Sequence, residues 1–184
     1  MEYNKKINRI IFLASIVIFA LVSVAHFLYK WTNYNEFVGS FVATNESIFQ
    51  HIKMVFYCVI IYYFATYFIF GNKYKINMKK WMFYPIITFV ITTLTIISMY
   101  YVLLYGFSLE SAIINICSLL VGLILSSLIC IHIQKRIRVF NLSTNVSLIA
   151  IFVLAITLTY FHYNPMNVDF YYDNEHNTYQ NVTE

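Results

Sequence analysis

Apolar residues in this chain come in five long runs, broken by short polar segments. A helix rises 1.5 Å per residue, so roughly 20 apolar residues cross a hydrocarbon core of ~30 Å. The runs are Ile10 to Tyr29, His51 to Phe70, Trp81 to Tyr105, Ala112 to Gln134 and Val146 to Tyr163. Membrane-crossing strands would need apolar and polar residues to alternate, and these runs do not. The pattern predicts an all-α membrane bundle of five transmembrane helices, with spans at about 10–29, 51–70, 81–105, 112–134 and 146–163. Residues 1–163 then form the transmembrane domain, and residues 164–184 a C-terminal tail.

Composition agrees with this class. The chain is 60% hydrophobic and 11% charged, where a soluble domain carries about 25% charged residues. The charges also sort by side. Ten of the twelve Lys and Arg lie before the first span, between the second and third, or between the fourth and fifth. Lys30 and Lys53 lie at the other ends, with seven of the eight acids: Glu36, Glu46, Glu110, Asp169, Asp173, Glu175 and Glu184. The positive-inside rule makes the basic side cytoplasmic, so the N-terminus is expected inside and the C-terminus outside. The net charge of +4 is thus a matter of topology and of contact with anionic lipid, not of nucleic acid. The expected location is the cell membrane, multi-pass, with the lipid bilayer as partner. Richness in Ile, Asn, Lys and Tyr points to an AT-rich, bacterial genome. The first run has a basic start and Ser23-Val24-Ala25, but it continues through Tyr29 and reads as an uncleaved helix.

Within the spans, small and polar residues mark helix-packing faces. Ser111, Asn115, Ser118, Gly122 and Ser126 share one face of the fourth span, and Thr88, Thr92 and Thr95 one face of the third. Small residues let backbones approach in lipid, and hydroxyls are expected to bond across. Cys58, Cys117 and Cys130 all lie in spans, without a CxxC spacing, and read as packing residues.

The candidate chemistry gathers at the acidic ends. His26 falls about 25 Å beyond Arg9 along the first helix. Asn45 and Glu46 open the second span, Asn45 as helix cap and Glu46 in the first turn. Ser47 and His51, four apart, share a face. Asp169 and Asp173, with His162 and His176, lie at the same end. Two His and a carboxylate suffice as a zinc first shell with one open position, so His26, Glu46 and His51 are the metal candidates. The wider binding set is His26, Asn45, Glu46, Ser47, His51, Asp169 and Asp173. Ser47 with His51 lacks an orienting acid, and no Gly-rich phosphate loop or nucleophile elbow occurs.

The segment Asn45-Glu46-Ser47-x-x-x-His51-x-Lys53 resembles the signature of an uncharacterised family of small bacterial integral membrane proteins, with a domain of unknown function. His26-Phe27-Leu28-Tyr29-x-Trp31 resembles that family's first-helix ending, and Pro165, Phe170, Asp173 and Tyr179 its tail. Ala43-Thr44 stands where a Pro-Val pair is common, and Asn174 and Gln180 replace the tail's Pro and Gly. The resemblance implies a fold and the place of a site, but no activity. The expectation is a membrane protein with an outward-facing polar pocket that binds or helps handle a ligand, lipid or partner, without established catalysis. The alternative is a metal-dependent membrane hydrolase at the outer leaflet. The aromatic cluster Phe170-Tyr171-Tyr172 is expected to fold the tail back over the pocket as a lid.

Overall fold

The computed structural model describes residues 2–109, 112–137 and 142–182, with side chains for all of these except 2, 3, 112 and 113. Glu110, Ser111, Arg138, Asn141 and Glu184 lie outside the described residues. The described chain is helical and has no strand. Five helices are long and apolar enough to cross a membrane. They are α1 (Glu2–Trp31), α3 (Ile48–Phe70), α5 (Tyr84–Phe107), α6 (Ala112–Arg136) and α7 (Thr144–Tyr163), with the short helices α2 (Glu36–Gly39) and α4 (Met78–Trp81) between them.

The helices outrun the apolar runs because charged ends can remain helical once a span is nucleated; α1 already includes Lys5, Lys6 and Arg9. Trp81, the first residue of the third apolar run, belongs instead to α4. Pro85 enters the first turn of α5, where its missing N–H costs nothing, so the chain bends at Met82 and Phe83 and restarts. Trp81 is fully buried there and donates its indole N–H to Tyr63 O at 2.8 Å.

α5 packs most extensively on α6, α6 on α1, and α1 on α3. The closest crossing is at Gly122, where a Cβ would lie 2.9 Å from Thr92 Cα. Thr88, Thr92, Ser118 and Ser126 are all buried along this seam. The hydroxyls, however, mostly do not bond across it. Ser118 donates to Asn115 O, Ser126 to Leu123 O and Thr95 to Ile91 O, each within its own helix. A short side chain reaches its own preceding turn more easily than a neighbouring helix. Thr88 Oγ1 is the exception: it lies 3.9 Å from Cys130 Sγ across the seam and 3.0 Å from the hydroxyl of Tyr63 on α3.

α7 lies at the edge of the bundle, tied to α3 by Tyr57 Oη and Thr159 Oγ1 at 2.9 Å. At the end of the bundle where α1 finishes and α3 begins, the tail folds back. A 3₁₀ turn at Asp169–Tyr171 buries Tyr171, whose ring centroid is 4.6 Å from that of Phe49. Phe170 meets the same Phe49 edge-on at 6.1 Å.

Candidate functional site

The approach to α3 differs from the expectation that Asn45 caps it. Ser47 is the cap, its hydroxyl accepting from Gln50 N–H at 3.4 Å. Asn45 stands two residues earlier, where its Oδ1 accepts from Ser47 N–H and its Nδ2 donates to Gln180 O. Glu46 consequently precedes the helix instead of sitting in its first turn. The shift of two residues frees the Glu46 side chain to reach sideways.

It reaches two histidines. His26 Nε2 lies 3.5 Å from Glu46 Oε1, and His51 Nε2 lies 3.4 Å from Glu46 Oε2. One ligand atom from each of the three falls within 4.8 Å of the others. The imidazole rings are 5.3 Å apart. Both histidines are only half-buried, so the cluster sits at a boundary and not in the bundle's interior.

The other ring nitrogens decide what the cluster can hold. His51 Nδ1 lies 2.9 Å from Ser47 O. A carbonyl only accepts, so Nδ1 carries the proton and, in the neutral ring, Nε2 presents a lone pair. That nitrogen faces a carboxylate oxygen, and the pair is satisfied either by a proton on Nε2 donated to Glu46 or by a metal ion between them. His26 Nδ1 is buried and has no hydrogen-bond partner among the described residues. Pairing with His51 is the largest influence on the Glu46 carboxyl and holds it below its usual range, against burial.

Glu46 is also fixed from behind. Asp173 is fully buried, and its Oδ2 accepts from Glu46 N–H at 2.9 Å. The same oxygen accepts from His176 Nδ1 at 2.9 Å, and Oδ1 accepts from the N–H groups of Glu175 and His176. Burial pushes the Asp173 carboxyl up, but these donors together bring it below the usual carboxylate range. Its carboxylate in turn raises His176. Further along, Thr44 donates to Asn181 Oδ1 at 2.6 Å, and Val182 N–H to Thr44 O at 3.1 Å. The tail is thus strapped across the segment that carries Glu46.

A cavity of about 500 Å³ opens beside the cluster. Its polar end is formed by His26, Glu46, His51, Asn174 and Glu175. Its remainder is mainly apolar, with Ser23, Tyr100 and Asn115 among the lining, and runs between α1, α3, α5 and α6. Sequence reasoning missed Tyr172, Asn174 and Glu175 as lining residues, because only the fold of the tail brings them there.

Not every candidate converges. Asp169 accepts from Tyr105 Oη at 2.8 Å, on the end of α5, and meets no histidine. Asn45, Ser47 and Asp173 support the cluster and do not line the cavity. His162 is buried elsewhere, its Nδ1 3.0 Å from Lys53 Nζ and 3.2 Å from Gln50 Nε2. Lys53, expected as an outer-end charge, is instead fully buried and donates to Gly39 O at 2.5 Å. Gly39 is itself packed against Thr44 and Tyr29, which a Cβ there would meet within 3 Å.

Searches of curated proteins and of solved structures return no match. A family model matches residues 1–180, almost the whole length described above. The chain therefore belongs to a family of unknown function, DUF6512.

Proposed function

We propose that this is a metal-binding membrane protein in which His26, Glu46 and His51 hold one divalent ion of the zinc type beside a ligand cavity. The observation that carries the reading is the placement of two imidazole Nε2 atoms on either side of one carboxylate, at 3.5 and 3.4 Å. Metal-binding histidines typically donate their other ring N–H to a carbonyl or carboxylate, as His51 does to Ser47 O. Two His and one Glu leave a fourth position of a tetrahedral ion open. The cavity supplies the space for a ligand at that position.

The positive-inside rule puts this end of the bundle outside, at the outer boundary of the bilayer. The tail then acts as its lid, since Asn174 and Glu175 line the cavity and Asp173 ties them to Glu46. The role is to bind and present a ligand. Hydrolysis by a metal-activated water is the second reading, favoured by one observation: Glu175 is a further carboxylate in the same lining.

Metal analysis of protein purified without chelator tests the proposal. One zinc per chain is expected, lost in His26→Ala and in His51→Ala. Wild-type protein that stays metal-free and gives no heat with added zinc would overturn it. Sidedness is tested separately, in a Cys117→Ala background because Cys117 is the exposed cysteine. An impermeant thiol reagent added outside should label Asn167→Cys and spare Lys79→Cys.

A further inference from the structure

We infer that the cavity takes a long-chain acyl lipid end-on, with its carboxyl or ester carbonyl oxygen at the His26–Glu46–His51 cluster and its chain along α1. This rests on the metal reading above and names the ligand class for the same site.

The cavity has two chemically distinct ends. The polar end carries the cluster. The apolar arm is lined by Phe19, Val22, Met54, Ile96, Ile116 and Leu119. From His26 down to Phe19 the arm descends about 10 Å along α1, at 1.5 Å per residue. Nothing in that arm is charged; its polar side chains are Ser23, whose hydroxyl is spent on Phe19 O, with Asn115 and Tyr100 nearer the cluster, so a polar ligand filling the cavity would recover little of its hydration. An apolar chain has no such cost. The volume of about 500 Å³ lies within the range of small-molecule sites, which are mainly apolar with a few convergent polar groups.

The way in also favours a lipid. Phe27 on α1 and Ile116 on α6 line the cavity, yet each is more than half exposed. In a spanning helix, exposed apolar side chains face the hydrocarbon. The mouth between α1 and α6 is thus mainly apolar on the bilayer side, with Ser23 and Asn115 as its polar positions, while the tail supplies the polar side. A chain sliding in from the membrane stays in an apolar medium throughout. A water-borne ligand would have to pass under Asn174 and Glu175, which belong to the strapped tail.

The head group follows from charge. Two neutral imidazoles and one carboxylate leave a divalent ion with one net positive charge. An acyl oxygen completes the coordination, and a fatty carboxylate completes the charge as well. Glu175 is exposed at the rim, so water screens it from that head.

The test uses full-length protein in nanodiscs with Co²⁺ as the paramagnetic probe, since zinc and cobalt both accept nitrogen and oxygen ligands. The visible spectrum, recorded before labelled lipid is added, reports whether the metal is bound. Palmitate or a palmitoyl phospholipid, each ¹³C-labelled at the carbonyl carbon, is then added. Strong broadening of that carbon in either lipid supports the inference and identifies free acid or esterified lipid as the source. Broadening should fall in Ile96→Trp, inside the arm, and in Ile116→Trp, at an exposed position that tolerates bulk, while one cobalt per chain is still bound. A normal cobalt spectrum with a sharp carbonyl signal in both lipids overturns the inference and leaves the metal reading standing. Equal broadening of acetate would overturn it too, because the apolar arm would then contribute nothing. An absent cobalt spectrum brings down both readings together.

Discussion

The buried carboxylate of Asp173 accepts the backbone N–H of Glu46 at 2.9 Å, joining residues 127 positions apart. The bond is to the main chain, so it sets where the Glu46 side chain starts without consuming it. Hydrogen bonds to a charged group are worth roughly 1.5–3 kcal/mol. Asp173→Ala removes four of them at once and is expected to cost more than about 3 kcal/mol of stability, read by thermal unfolding in detergent. Zinc affinity should fall by about 10–100-fold, as for other losses of supporting groups around a metal. Unchanged affinity with a released tail would show that Glu46 is held by other means.

Glu46, His26 and His51 are expected to act as a unit. Zinc at about 100 times its Kd should stabilise the wild type by about 2.7 kcal/mol. Glu46→Gln and His51→Ala should each abolish that gain. In a double-mutant cycle on zinc affinity the second substitution should add little to the first. Two losses that simply add would mean that the residues bind separately.

Tail docking should depend on pH in two directions. Asp173 lies below the usual carboxylate range, so its contribution is complete above about pH 3.9 and is lost as the pH falls through its lower folded value. His176 is raised by Asp173, with Glu175 and Glu46 adding in the same sense. Its contribution is complete below about pH 6.5 and is lost as the pH rises through its raised value. Hydrogen exchange over residues 169–182, corrected for its intrinsic pH dependence, should be slowest between those limits. Protection that is flat from acid to alkaline pH would remove both residues from the docking account.

Lys53 is buried with a carbonyl and an imidazole but no carboxylate partner among the described residues. Lys53→Met keeps the volume and removes the buried cation, so its stability should stay within about 1 kcal/mol of wild type. Lys53→Ala also leaves a cavity and should cost about 2–5 kcal/mol. Unfolding midpoints compare the two. A large loss in the Met variant would assign the ammonium a role beyond packing.

Two glycines offer a matched pair. Gly122→Ala places a Cβ 2.9 Å from Thr92 Cα and should cost about 1–3 kcal/mol by overpacking. Gly106→Ala, in α5, meets nothing within 4 Å and should gain about 0.5–1 kcal/mol from its better helix propensity. Equal midpoints for the two variants would contradict the close crossing of α5 and α6.

The five spans were readable because a membrane demands uninterrupted apolar length, a property of single segments. His26, Glu46 and His51 were readable as chemistry, since few other residue types bind metal. Their juxtaposition was not, because it depends on α1 and α3 lying side by side. The helix start was misplaced because Asn45 and Ser47 are both good caps, and only Ser47 sits where its hydroxyl meets Gln50 N–H. Lys53 misled for a different reason. Its position near a helix end suggested water, while its environment comes from Gly39 and His162, 14 and 109 residues away. The hydroxyls of the α5–α6 seam showed their face but not their partners, which for Thr95, Ser118 and Ser126 are local carbonyls.

Ser47 caps α3 with its hydroxyl and receives the His51 ring proton with its carbonyl. The tautomer of His51 is therefore inherited from the way the helix begins, not selected by whatever arrives. To turn Nδ1 toward a ligand, the ring would have to abandon a carbonyl that belongs to the capping residue itself. The nitrogen facing Glu46 is thus settled when the chain folds, and an incoming ion meets a donor that has no search left to perform.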